Sequence, residues 1–273
     1  MESIKRALAS AFILVCTLAS LACEGGLLTD CYYDVDPSVY PEGVRESARI
    51  YHPCNIGALK PVAATTLANG NGGYKEGVLW LAERLARADI VVCAVSAGDN
   101  ASVDGYVVAH KSALGILKAE NGNPDSVLYG KIAAYGLTGY SKGGGGAINA
   151  AVELGDEIKT CVALSPWMAN PAKTLSAATL ILTSELDDIA PAEMGVWAYL
   201  QIPLRAPKTY AAMAGVGHAF WLYNANPGSS VDYIAAWLKY WQENKRSVAN
   251  TLEKPQADMI DVRMQARALV LKK

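Results

Sequence analysis

Gly139-Tyr140-Ser141-Lys142-Gly143 constrains this chain more than any other five residues. An apolar run, Ile132 to Leu137, leads into it, and a glycine-rich then alanine-rich stretch leads out. That order predicts a strand, a sharp turn and a helix, with a serine held at the turn. Such a turn forces the serine backbone into a strained conformation and leaves its hydroxyl exposed above the end of a sheet. Glycines two places before and after are needed because strand and helix pass too close there for a β-carbon. Ser141 is thus a candidate nucleophile whose setting also dictates the local fold.

The rest of the chain repeats this alternation. Apolar, strand-like runs lie at Pro61 to Leu67, Ile90 to Ser96, Ala133 to Thr138, Thr160 to Leu164, Thr179 to Thr183 and Lys208 to Met213. Helical periodicity fills Gly77 to Ala88, Val103 to Asn121, Gly144 to Leu154 and Ala192 to Leu200. The expected fold class is therefore α/β: a mostly parallel sheet with helices on both faces. A last amphipathic helix opens at Ser229-Ser230-Val231-Asp232, and its stripe of Tyr233, Ala236, Trp237, Tyr240 and Trp241 reads as core contact. The stretch from Asn250 to Lys273 is amphipathic, and a helix lying against the body is expected. Hydrophobic residues make up 52% and charged residues 18%, which suits one large buried core and excludes disorder. The net charge of −2, with no basic run in the body, argues against nucleic acid as a partner and for a neutral or weakly charged small molecule or polymer.

The N-terminus follows other rules. Lys5 and Arg6 precede the apolar run Ala7 to Leu21, which ends in Ser20-Leu21-Ala22-Cys23. That is the layout of a secretory signal peptide over residues 1–22, too short to span a bilayer. Cleavage after Ala22 would put Cys23 first, as in a bacterial lipoprotein, so a membrane partner enters only through a lipid on Cys23. The expected organisation is then an N-terminal segment over 23–60, a catalytic body over 61–249 and an extension over 250–273. Export permits disulfides, and Cys31–Cys54 is the expected bridge. Cys93 and Cys161 sit inside strand runs and read as buried, inert thiols. No His/Cys spacing suggests a metal, no cofactor is implied, and a monomer is expected.

A serine hydroxyl needs a positioned base, normally histidine. The chain has three histidines. In hydrolases with this turn the order along the chain is serine, acid, histidine. His52 and His110 precede Ser141, so only His218, in a Gly-Val-Gly-His-Ala turn after the Lys208 to Met213 strand, can fill the last place. The acid should follow the Thr179 to Thr183 strand, where Glu185, Asp187 and Asp188 all qualify.

Several segments together resemble one family. Ser184-Glu185-Leu186-Asp187-Asp188-Ile189-Ala190-Pro191 is similar to the acidic loop of bacterial cutinases and polyester (PET) hydrolases, and Leu164-Ser165-Pro166-Trp167 to their Thr-Pro-Trp segment. The elbow followed by Gly143 to Gly146 matches, as does Asn69-Gly70-Asn71-Gly72-Gly73 with the helix beginning Leu79-Trp80-Leu81. The likeness runs from about Val62 to Trp241. It implies the α/β-hydrolase fold without a large lid, Asp187 as the triad acid, and an oxyanion hole from the backbone N–H groups of Asn71 and Lys142. Trp167, and Tyr74 as a substitute ring, would bind substrate. A phosphate-binding reading of Gly70 to Gly73 fails, because no Gly-Lys-Ser/Thr ending follows.

Three positions depart from that family. It usually carries an aromatic residue at the place of Asn71, methionine at the place of Lys142, and a bulky residue where Ala219 follows the histidine. Phe220 or Trp221 is a second candidate for the missing ring. Lys142 either sets a cation beside the acyl pocket, favouring an anionic substrate, or lends only its backbone. The expected activity is a secreted serine carboxylesterase of the cutinase-like kind, acting on a small-molecule or polymeric ester. The alternatives are a dienelactone-hydrolase-like or short-chain esterase of soluble metabolites, and a catalytically inactive hydrolase fold that binds without reacting.

Overall fold

The apolar runs become the middle of one nine-stranded sheet ordered β1-β2-β4-β3-β5-β6-β7-β8-β9. The computed structural model describes residues 31–35, 43–171, 174–224 and 226–265. The strands are β1 (Cys31–Asp34), β2 (Val44–His52), β3 (Val62–Ala68), β4 (Val91–Ala97), β5 (Ile132–Tyr140), β6 (Thr160–Leu164), β7 (Ala178–Ser184), β8 (Lys208–Met213) and β9 (Met259–Met264). From β3 to β8 all pairings are parallel, and every residue of β3, β4, β6, β7 and β8 is buried. Continuous burial explains continuous apolarity: both faces of these strands are covered.

The covering helices are α1 (Leu79–Arg87), α2 (Val103–Gly122), α3 (Lys142–Leu154), α4 (Ala192–Gln201), α5 (Ser230–Gln242) and the short α6 (Ala249–Glu253). Leu81 and Leu85 of α1 and Tyr233, Ile234, Trp237 and Leu238 of α5 pack on one face, against Leu67, Leu180 and Leu182. Helices α2, α3 and α4 cover the other face. The expected helix stripe on α5 is core contact, with Tyr233 and Trp237 fully buried. Strand order reverses at β3, which has β4 on one side and β5 on the other. In such sheets the crevice for a ligand opens outside the carboxyl ends of the strands at that switch.

The edges differ from the sequence reading. Of the described part of the C-terminal stretch only α6 is α-helical, with Leu252 in the core; beyond it the chain forms β9, antiparallel to β8. An uncovered β8 would present a row of unpaired backbone groups, and pairing satisfies them while Met259 joins the core. The segment before residue 60 also adds strands, β1 and β2, antiparallel to each other and to β4. A register shift between Arg45 and Arg49, with Glu46 at φ 60°, breaks the alternation of β2. The Cys31–Cys54 disulfide is formed and joins the start of β1 to the chain beyond β2, with Cα atoms 5.1 Å apart. Cys93 and Cys161 are free and wholly buried, and burial pushes both thiols up. The signal-peptide and Cys23 expectations lie outside the described residues.

Candidate active site

Four strands deliver their loops to one rim. The end of β5 brings Ser141, at φ 53° and ψ −120°, a positive-φ backbone that an L-residue holds only under constraint. The constraint is visible. The Ser141 N–H donates to the Leu164 carbonyl at 2.8 Å, and its own carbonyl accepts from Trp167 at 2.9 Å and Gly145 at 3.0 Å. A β-carbon on Gly139 would stand 2.1 Å from the Gly143 oxygen, and one on Gly143 2.2 Å from the Asn69 oxygen. The glycines of the pentapeptide are therefore a matter of contact distance.

The turn after β7 brings Asp187, and the turn after β8 brings His218. His218 Nδ1 lies 2.7 Å from Asp187 Oδ2, and Nε2 lies 3.0 Å from Ser141 Oγ. A carboxylate only accepts, so the ring carries its proton on Nδ1 and turns the Nε2 lone pair to the hydroxyl. Asp187 Oδ1 accepts the N–H groups of Ile189 at 3.0 Å and Ala190 at 2.7 Å, which fixes the carboxylate plane. The imidazole is 9% exposed and the carboxylate side chain not at all. Tyr140 packs its ring on the His218 ring, centroids 5.0 Å apart, and donates its hydroxyl to the His218 carbonyl at 3.1 Å. Burial raises the Tyr140 phenol far above its ordinary value, so it stays a donor.

Of the three acids left open by position, Asp187 alone meets the imidazole. Asp188 is exposed, and exposed Glu185 accepts the Gly215 N–H at 2.6 Å. His52 bonds its neighbour's carbonyl at the end of β2. His110 is buried within the helix layer behind the elbow, with Nδ1 2.7 Å from Thr66 Oγ1 and Nε2 3.0 Å from the Gly143 oxygen. Burial holds it neutral, its pKa lowered to about 4. A carbonyl can only accept, so Nε2 donates to Gly143 and Nδ1 accepts from Thr66. Sequence order ruled His110 out as base without revealing this second place against the elbow.

Above Ser141 opens a cavity of about 710 Å³, lined on one side by Asn69 to Tyr74 and on the other by Ile189, His218, Leu222 and Tyr223. Gly70 touches the serine: a β-carbon there would sit 2.7 Å from Ser141 Cβ. Asn71 and Tyr74 line the cavity, as the resemblance implied. Lys142 does not line it; its ammonium donates to Asn71 Oδ1 at 2.9 Å and to the Ala101 carbonyl at 2.5 Å. Trp167 does not line it either; it is half-buried, and it holds the elbow through its backbone N–H, which donates to the Ser141 carbonyl. Trp221 cannot supply a ring to the site: it is fully buried, donating from Nε1 to Ser165 Oγ at 3.2 Å. Phe220 packs edge-on against it, outside the cavity lining. Sequence reasoning missed Glu46, Glu76 and Tyr223, which do line it. Glu46 comes from the bulged strand β2, and no local motif connects it to the serine.

A hydroxyl, imidazole and carboxylate bonded in series on a strained turn are the parts that activate serine as a nucleophile. A model of the PET hydrolase-like family matches residues 29–267. The chain belongs to that family. With membership comes the α/β-hydrolase fold, in accord with the parallel, helix-covered sheet. Cutinase est2 and cutinase est1 of Thermobifida alba are each 28% identical over 194 residues, 70% of this chain. A bis(hydroxyethyl) terephthalate hydrolase of Streptomyces coelicolor is 26% identical over the same share. The matched stretch spans 62%, 63% and 60% of these relatives' own lengths. Among the described residues no group of three or more His, Cys, Asp or Glu could hold a metal, and no helix is long and apolar enough to cross a membrane.

Proposed function

We propose that this chain is an exported serine carboxylesterase of the cutinase-like kind, acting through Ser141, His218 and Asp187. Ser141 Oγ attacks the ester carbonyl while His218 Nε2 takes its proton. The imidazolium then passes that proton to the departing alcohol, leaving an acyl group on Ser141. Water, deprotonated by the same nitrogen, releases the acid. Asp187 keeps the ring in its Nδ1–H tautomer and stabilises its charged form. The backbone N–H groups of Asn71 and Lys142 receive the developing oxyanion, from the loop after β3 and the first turn of α3. One such donor contributes about 3 kcal/mol to the barrier.

The observation that carries this reading is the unbroken series Ser141 Oγ–His218 Nε2 at 3.0 Å and His218 Nδ1–Asp187 Oδ2 at 2.7 Å, built on a serine at positive φ. Support for an ester as substrate comes from the family and from relatives whose names specify cutin and a terephthalate ester. The cavity suits a bulky ester, because exposed Tyr74, Ile189 and Tyr223 form an open mouth. The disulfide fits an oxidising compartment.

The test is covalent labelling with a fluorophosphonate, alongside hydrolysis of 4-nitrophenyl butyrate. Wild-type protein should label and turn over, and Ser141→Ala should do neither. Absence of wild-type labelling, or equal labelling of the variant, removes the proposal.

A further inference from the structure

Asn71 and Lys142 touch each other through their side chains, 71 residues apart in the chain. They are also the two residues whose backbone N–H groups the proposed mechanism aims at the oxyanion, so any catalytic role for their contact rests on that mechanism. The Lys142 ammonium donates to Asn71 Oδ1 at 2.9 Å and to the Ala101 carbonyl at 2.5 Å. Beside Ala101, the Asn100 carbonyl accepts the Gly72 N–H at 2.7 Å. The bonds close a ring: Asn71 side chain, Lys142, Ala101, Asn100, Gly72 and back to Asn71.

The loop needs such a ring. Gly70 is fixed, its N–H donating to Asn69 Oδ1 at 2.7 Å and its carbonyl accepting from Tyr106 Oη. Beyond the tip, Asn69 Nδ2 donates to the Tyr74 carbonyl at 2.6 Å. Between these anchors stands Asn71, exposed, with glycine on either side and Gly72 at φ 67°. Peptides next to glycine rotate at little steric cost. The other donor begins a helix whose next four residues are glycine, the weakest helix formers after proline. Glycine makes both stretches loose in principle, yet each donor peptide is held on its carbonyl side, Gly70–Asn71 by Tyr106 Oη and the Gly73 N–H, and Ser141–Lys142 by the Trp167 and Gly145 N–H groups. These partners come from different elements, and the Lys142–Asn71 bond joins the two donor peptides directly.

We infer that Lys142 is a positioning residue: through Asn71 Oδ1 its ammonium ties the loop tip to the first turn of α3 and holds the two N–H groups in register. It does not offer its charge to the substrate, since it lies outside the cavity lining and its ammonium is turned to two carbonyl oxygens.

The experiment compares wild type, Lys142→Met, Asn71→Ala, the double variant and Lys142→Arg, all of which keep the backbone donors. Hydrolysis of 4-nitrophenyl butyrate is measured with inhibition by phenylboronic acid, whose tetrahedral serine adduct needs the oxyanion hole while substrate binding does not. Loosening one donor without deleting it should lower kcat about tenfold in either single variant, with KM within about twofold. The boronate Ki should rise by the same factor as kcat falls. The double variant should be no worse than Lys142→Met alone, because the bond that Asn71→Ala breaks is already gone there, and Lys142→Arg should restore most of the rate. Lys142→Met matching wild type in both kcat and boronate Ki overturns the inference, as do additive losses or a change confined to KM. Failure of the underlying mechanism reads differently: wild type would then be no faster than Ser141→Ala.

Discussion

The two sides of Ser141 are built to opposite specifications. On one side Asp187 and His218 are almost fully removed from water, and each is held by at least two hydrogen bonds from different elements. On the other, the loop from Asn69 to Tyr74 reaches its tip exposed, with Asn71 and Gly72 in solvent and Tyr74 39% exposed. Proton transfer needs fixed distances and a low local dielectric, which burial supplies. Recognition of a bulky partner needs accessible surface, which burial denies. The buried side should therefore govern kcat and the exposed side KM, except at the loop tip, where the proposed oxyanion donor Asn71 N–H, tied by Lys142, brings the loop into the chemistry.

The strongest way to break that division is through Asp187. Asp187→Asn removes the acceptor that selects the Nδ1–H tautomer, and kcat should fall about 10⁴-fold. Asp188→Asn, one residue along and exposed, should stay within about twofold of wild type. Steady-state rates on 4-nitrophenyl butyrate decide it. A sensitive Asp188 with a tolerant Asp187 would mean that the turn after β7 presents its acids differently in solution.

That turn also marks how far the sequence could be read. Strands β3, β4, β6, β7 and β8 were legible because burial on both faces writes them as largely apolar runs, β5 because its buried end runs into the elbow, and the helices between them because of their helical patterning. The elbow was legible because contact distances permit only glycine at 139 and 143. The choice among Glu185, Asp187 and Asp188 was not, since side-chain direction after a strand depends on the turn; here the Asp187 N–H returns to the Ser184 carbonyl at 3.3 Å. The family resemblance, not position, singled out Asp187. Edge strands were illegible for a different reason. The shift between Arg45 and Arg49 destroys the period in β2, and in Met259–Met264 six residues are too few to tell a half-exposed strand from an amphipathic helix. Side-chain bonds that close across the fold, such as His110 to Gly143 or Lys142 to Asn71, leave no local trace at all.

His110 extends the buried side beneath the elbow and gives it a pH signature. Its pKa is lowered from 6.5 to about 4 by burial. The folded state therefore resists a proton that the unfolded chain accepts once pH falls below about 6.5. Stability from this group is intact above that pH and is lost progressively as pH drops towards 4, a total of about 3 kcal/mol. Urea unfolding of wild type between pH 7 and pH 4 should show the loss. His110→Gln keeps a donor for the Gly143 carbonyl and an acceptor for Thr66 but does not titrate, so its stability should fall less over the same range. An identical slope in the two proteins would place the acid sensitivity elsewhere.

The smallest effect tests the exposed side most directly. Tyr74 lines the cavity with its ring in solvent, and its hydroxyl accepts a long bond from Arg45 Nη1 at 3.5 Å. Trp167, the residue that the family resemblance nominates for the same task, stands half-buried beside the elbow and does not line the cavity. Packing of one aromatic ring on another in an open site is worth about 0.5–1.5 kcal/mol, so Tyr74→Ala should raise KM for an aryl ester roughly 2- to 10-fold and leave kcat alone. Tyr74→Phe should be silent if the ring, which lines the cavity, and not the hydroxyl is what a substrate meets. Trp167→Ala should leave kcat and KM within about twofold, because the contacts of Trp167 with the elbow run through its backbone, which the substitution keeps. If instead Trp167→Ala raises KM for aryl esters selectively and Tyr74→Ala does not, recognition lies on the serine's buried flank, and the separation between a chemical side and a binding side fails.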